Sequence, residues 1–138
     1  MDTQAALQDI LAFMAEAGAL AVANQKRAKV SYKDGNQALT ETDLAISKLA
    51  QQRLKAWFDQ PQHMLIDEES IKLSPSEVFA ASEYQWVLDP IDGTAGYALG
   101  RQLYGISLGV CHRGKPILGA IYLPAQRLLV VADEVKAW

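Results

Sequence analysis

Two aspartates, Asp89 and Asp92, follow directly on an apolar run in WVLDPIDGT, Trp86 to Thr94. Carboxylates placed right after Trp86, Val87 and Leu88 sit where burial makes charge expensive, and a hard cation is one way to offset that. A second acidic run, Asp67-Glu68-Glu69, closes the segment that starts at His63. If the two segments are strands whose ends lie side by side, these five carboxylates converge. Like charges that close raise each other's pKa unless something neutralises them. Oxygen donors of this kind suit Mg²⁺. Pro90 and Ile91 bend the chain so that both aspartates can face one point, with a backbone carbonyl between them as a further donor. Gly93 and Thr94 then offer N–H groups and a hydroxyl, and a helical turn starting there would hold a phosphate. Carboxylates for metal beside amides for phosphate is the equipment of metal-assisted phosphoryl transfer to water. A plain turn with capping aspartates is the competing reading of the hexapeptide alone. Taken one at a time, Asp67 and Glu69 read as solvated loop carboxylates.

The elements that must position these groups follow from periodicity. Leu7, Ile10, Leu11, Met14, Ala17, Ala21 and Val22 have helical spacing, which predicts an amphipathic helix over 4–27. Gly18 in its middle costs about 1 kcal/mol against alanine and suggests a close crossing. Residues 30–39 read as a connection with a turn at Asp34-Gly35. Thr40 is a candidate N-cap, with Glu41 and Asp43 in the first turn of a second helix that Pro61 stops. His63 to Asp67 and Tyr84 to Leu88 read as strands, the second stopping at Asp89-Pro90, with a loop and a short helix near Glu77 between them. From Tyr104 to His112 the even positions are bulky and the odd ones small, so something is expected to pack closely on the thin face. Ile117 to Leu123 and Leu128 to Ala132 complete the series. The fold class is α+β: two long helices on an antiparallel sheet.

Bulk properties are those of one globular domain. The chain has 138 residues, half of them apolar and 21% charged, with a net charge of −3. The negative balance argues against nucleic acid or an anionic membrane as partner. Lys26, Arg27, Lys29 and Lys33 read as the favourable basic end of a helix. A lone cysteine, Cys111, excludes an internal disulfide. MDTQAALQDI lacks the features of a signal peptide, and no apolar run approaches the roughly 20 residues of a membrane span. A soluble, cytoplasmic protein is expected. His63 and His112 read as surface or packed imidazoles, and Cys111 as a small buried side chain.

IDEES at 66–70, WVLDPIDGT at 86–94 and LTETD at 39–43 resemble the inositol monophosphatase family of Mg²⁺-dependent, lithium-sensitive phosphatases. That superfamily also includes bisphosphate nucleotidases, histidinol-phosphate phosphatases and fructose bisphosphatases. GKPILGAIYLP at 114–124 continues the likeness, which covers essentially the whole chain. The resemblance implies the N-terminal half of an α/β/α sandwich and hydrolysis of a small phosphorylated metabolite by Mg²⁺-activated water. It implies Glu68, Asp89, the Ile91 carbonyl and Asp92 as metal ligands. Glu68, Asp92, Gly93, Thr94 and Ala95 would contact substrate, the last three through the phosphate. Thr94 paired with Asp43 would orient the attacking water.

Three departures from the family pattern stand out. Asp67 replaces the usual glycine before the glutamates. Ala95-Gly96-Tyr97 stands where many inositol phosphatases have Thr-Asn-Phe. The family's second half, with its Trp-Asp motif and most substrate-selecting residues, has no counterpart in this sequence. Residues 1–138 are therefore expected to be the metal- and phosphate-binding domain, poorly active alone and prone to self-association through an exposed sheet face. The alternative is a non-catalytic half-fold serving as a metal- or phosphate-binding or interaction module.

Overall fold

The computed structural model describes residues 1–33, 37–69 and 74–138. Helix α1 spans Thr3–Asn24, and the Asp2 carboxylate caps it by accepting the Gln4 and Ala5 N–H groups. A 3₁₀ turn, Gln25–Arg27, extends it to the predicted end. By length and composition this segment could cross a membrane, which corrects the expectation that no run approaches a span. It packs as a core helix, with Ala6, Ile10, Phe13, Met14, Ala17, Gly18 and Ala21 all buried. Gly18 does mark a close approach: a Cβ there would overlap the Tyr122 ring.

Residues 30–39 are more than a connection. Among them, β1 Ser31–Lys33 pairs antiparallel with β2 Gln37–Leu39. The turn expected at Asp34-Gly35 lies outside the described residues. Thr40 caps α2, Glu41–Arg53, in a capping box with Asp43. The helix breaks at Leu54, which is buried, before one further turn, α3 Lys55–Phe58.

The main sheet has the order β3 His63–Asp67, β4 Tyr84–Asp92, β5 Gly105–His112, β6 Lys115–Leu123, β7 Leu128–Asp133. The α+β class stands, with one difference: β3 pairs with β4 in parallel, and only the remaining pairs are antiparallel. A parallel neighbour needs a crossover. Helix α4, Pro75–Ala81, lies within it. β4 also runs on through Asp89-Pro90 instead of stopping there. The proline is accommodated where the register with β5 shifts between Asp89 and Asp92.

Helix α1 lies against β5 and β6, and α2 against β4. Trp86, Leu88, Ile106, Leu108 and Val110 meet Ile10, Phe13, Met14 and Ile46 in the core between them. The thin face of β5 is not covered as expected. A recess of about 330 Å³ opens over Ser107, Gly109, Gly119, Ile121, Val130 and Ala132. Val87, Ile121, Leu128 and Val130 are exposed.

Candidate active site at the ends of the parallel strands

The parallel pairing decides where the acids go. Asp67 stands opposite Leu88, so the residues that follow, Glu68 and Asp89, emerge side by side at one end of the sheet. An antiparallel pair would have sent them to opposite ends. The Glu68 N–H extends the ladder by donating to the Leu88 carbonyl at 3.2 Å.

Asp89 is the focus of the electrostatics. Its carboxyl is raised from 3.8 to about 7, first by burial, then by Glu68, then by the charges of Asp92 and Asp43. Its Oδ1 is buried with no hydrogen-bond partner. Glu68 and Asp92 are exposed, so the cluster opens to solvent. Among the described residues, no three His, Cys, Asp or Glu side chains are already gathered as a closed cage. What exists is a half-buried carboxylate with an orphaned oxygen, flanked by neighbours of its own charge. That donor set, all hard oxygens, fits a cation such as Mg²⁺.

Gly93, with φ 85°, turns the chain out of β4 and into the short helix α5, Thr94–Ala98. The first backbone bond within α5 runs from the Tyr97 N–H to the Gly93 carbonyl, 2.9 Å. The N–H groups of Thr94 and Ala95 precede it and have no acceptor within the helix. The Thr94 hydroxyl lies 3.0 Å from Asp43 Oδ1 and 2.8 Å from the Ile91 carbonyl. Its one proton can be shared between the two in a three-centre bond. Asp43 is fully buried, and its Oδ2 accepts from the Thr40 N–H at 2.8 Å and the Thr40 hydroxyl at 2.6 Å. The capping box that starts α2 therefore also fixes the carboxylate that faces Thr94.

Glu68, Asp92 and Asp43 thus all act on the charge of Asp89, while Ile91 lies near the end of β4 and Gly93, Thr94 and Ala95 form the turn that follows it. Asp67 departs from expectation. It is not a solvated loop carboxylate but is 1% exposed, because the β3 register turns it inward. Sequence reasoning also missed the role of Tyr97. Its phenol donates to the Ala21 carbonyl at 2.6 Å and lies 3.1 Å from Thr42 Oγ1, tying α5 to α1 and α2. Gln25 adds a second tie, donating to the carbonyls of Tyr97 and Arg101 at 3.2 and 2.8 Å. The spacing of Tyr97 one helical turn after Thr94 was the available signal.

Neither histidine joins the site. His63 is buried, accepts the Trp86 indole N–H at 3.0 Å through Nδ1 and stacks on Tyr84; burial lowers its pKa. His112 pairs with Glu83 at 3.0 Å. Burial pushes the Cys111 thiol up, so it is no activated nucleophile.

These features, a carboxylate-lined strand end beside an amide-lined bend, agree with the comparisons. The sequence profile described as "Inositol monophosphatase family" matches residues 3–137. The chain belongs to this family. It is 31% identical over 99 residues to inositol monophosphatase 2 of Solanum lycopersicum, covering 72% of this chain and 37% of that protein. It is 31% identical over 100 residues to the 3'(2'),5'-bisphosphate nucleotidase CysQ of Haemophilus influenzae, covering 72% and 36%. The fold superposes with a TM-score of 0.83, at 25% identity, on an IMPase/NADP phosphatase solved with Mg²⁺ and phosphate; all of this chain and 51% of that one are covered. The chain spans between a third and a half of the length of these relatives.

Proposed function

We propose that the protein is a Mg²⁺-dependent phosphomonoesterase acting on a small phosphorylated metabolite, with residues 1–138 as its metal- and phosphate-binding unit. The observation that carries this reading is Asp89: a carboxylate raised to about 7, with an orphaned buried oxygen, among Glu68, Asp92 and Asp43. Glu68, Asp89, the Ile91 carbonyl and Asp92 would hold the metal. When bound, the cation would neutralise the phosphate's charge and acidify a water molecule.

The other steps belong to the chain's own groups. The N–H groups of Gly93, Thr94 and Ala95 would orient the phosphate, leaving the phosphorus open to in-line attack. Thr94 donates its proton to Asp43 Oδ1, a charge-assisted bond stronger than one to a neutral carbonyl. The lone pairs of Thr94 Oγ1 are then free to accept from the attacking water and hold it in line. The P–O bond to the leaving alkoxide breaks as the new one forms, and a proton given up by the attacking water ends on that alkoxide, so the products are an alcohol and inorganic phosphate with no covalent phosphoenzyme. The resemblance of the chain to both inositol monophosphatases and a bisphosphate nucleotidase supports the substrate class without choosing within it.

Phosphate release from a panel of monoesters at millimolar Mg²⁺, with and without lithium, tests this reading in a protein that joins residues 1–138 to the second half of a relative, because residues 1–138 are expected to be poorly active alone. Mg²⁺-dependent release that Asp89→Asn abolishes supports it. Release that persists in Asp89→Asn contradicts it. We also infer that copies of this chain associate through the open sheet face around Ile121 and Val130, and that it works in the cytoplasm, where a lone thiol stays reduced.

A further inference from the structure

Asp67 is the site's clearest departure from the family pattern, and its surroundings give it a task. It ends β3 fully inside the protein, 1% exposed. Its Oδ1 accepts the Glu69 N–H at 2.9 Å, closing a turn around Glu68. An aspartate that bonds the N–H two residues on mimics a backbone turn and fixes the residue between. Its Oδ2 is buried with no hydrogen-bond partner. Holding a carboxylate in that state is costly, and the fold nevertheless keeps it where a glycine would fit without charge.

Glu68 is the residue between. On one side its own N–H is pinned to the Leu88 carbonyl at 3.2 Å. On the other, the Glu69 N–H is pinned to Asp67. The backbone that carries the Glu68 carboxylate is thereby held at both of its peptide groups, next to Asp89. A glycine at 67 would remove that anchor from the second peptide and leave the turn conformationally freer.

We propose that Asp67 is a positioning residue that locks the Glu68 carboxylate toward Asp89 and so sets the cation affinity of the site. The affinity part rests on the metal-dependent reading above; the locking of the turn does not. Partners that orient metal ligands commonly account for 10–100-fold in affinity.

The test uses the full chain and three variants, Asp67→Ala, Asp67→Gly and Asp67→Asn, with two readouts. The first is Mn²⁺ affinity by electron paramagnetic resonance. Asp67→Ala and Asp67→Gly should bind at least about tenfold more weakly. Asp67→Asn keeps an acceptor oxygen and should stay within about threefold of the parent. The second, taken without metal, is hydrogen exchange at the Glu69 amide. It should be protected in the parent and Asp67→Asn and near the free-chain rate in Asp67→Ala. Thermal unfolding of Asp67→Asn checks that the comparison is made on folded protein. Equal Mn²⁺ affinity in all four proteins would overturn the proposal, as would a Glu69 amide unprotected in the parent. If the parent binds no Mn²⁺ while the exchange pattern holds, the metal-dependent reading and the affinity part fail and the turn assignment stands.

Discussion

Thr94 Oγ1 stands 3.0 Å from Asp43 Oδ1, a contact across 51 residues that joins the bend after β4 to the first turn of α2. Asp43 is held there by Thr40, so one capping box serves both helix and site. Thr94→Val keeps the side chain's size and removes the hydroxyl. In a protein that joins residues 1–138 to the second half of a relative, turnover should fall about a hundredfold, the scale of losing one oriented polar contact at the reacting atoms. Mg²⁺ affinity should change less than threefold, and Thr94→Ser should restore most of the rate. Phosphate release paired with a metal titration checks this. A valine variant with normal turnover would remove Thr94 from the mechanism.

The Asp89 carboxyl gives a pH dependence with a definite sign. Its folded value is raised, from 3.8 to about 7, so the folded state holds the proton more tightly than the unfolded one. The metal-free protein is stabilised by this group below pH 3.8 and loses that contribution as pH rises through 7. The thermal midpoint without metal should therefore be lower at pH 8 than at pH 5.5, and Mg²⁺ should restore more at pH 8. Asp89→Asn should flatten both differences. Calorimetric midpoints at the two pH values decide it.

Much of this arrangement was legible in the sequence, for reasons that are local. The cap at Thr40, the strand His63–Asp67 and the helical turn that starts at Thr94 are set by residues within a few positions of one another, whereas the strand expected to stop at Asp89-Pro90 runs on to Asp92. The parallel pairing of β3 with β4 was not legible, because a strand's own pattern does not encode its neighbour's direction; the crossover does. The burial of Asp67 escaped notice because a terminal acid looks solvated until the register turns it inward. Tyr97 looked only like a departure from the family, since its partners, Ala21 and Thr42, lie 76 and 55 residues away.

Gly18 tests the packing of α1 on the sheet. Gly18→Ala improves helix propensity by about 1 kcal/mol, yet its Cβ would overlap the Tyr122 ring. Overpacking of this kind typically costs about 1–3 kcal/mol, so the variant should be destabilised overall. Gly18→Ala combined with Tyr122→Leu should recover stability. Urea unfolding of the two variants measures this, and a more stable single variant would mean the crossing is looser than described.

The open sheet face should make the isolated chain associate. Exposed Ile121 and Val130 flank the recess over Gly109 and Gly119. Sedimentation should show dimers or larger species at micromolar concentration, and Ile121→Lys with Val130→Lys should return the chain to monomer. A monodisperse monomer that binds no apolar dye would argue against the inferred association.

The most direct test of the central claim is calorimetric titration of Mg²⁺ into the full chain at pH 7, in two buffers of different ionisation enthalpy. A carboxyl near 7 must lose its proton to take up a cation. Binding should release about half a proton, read as a buffer-dependent heat. In Asp89→Asn that release should vanish and affinity should fall by at least about tenfold. Mg²⁺ binding that is equally tight in Asp89→Asn, with the same proton release, would contradict the account.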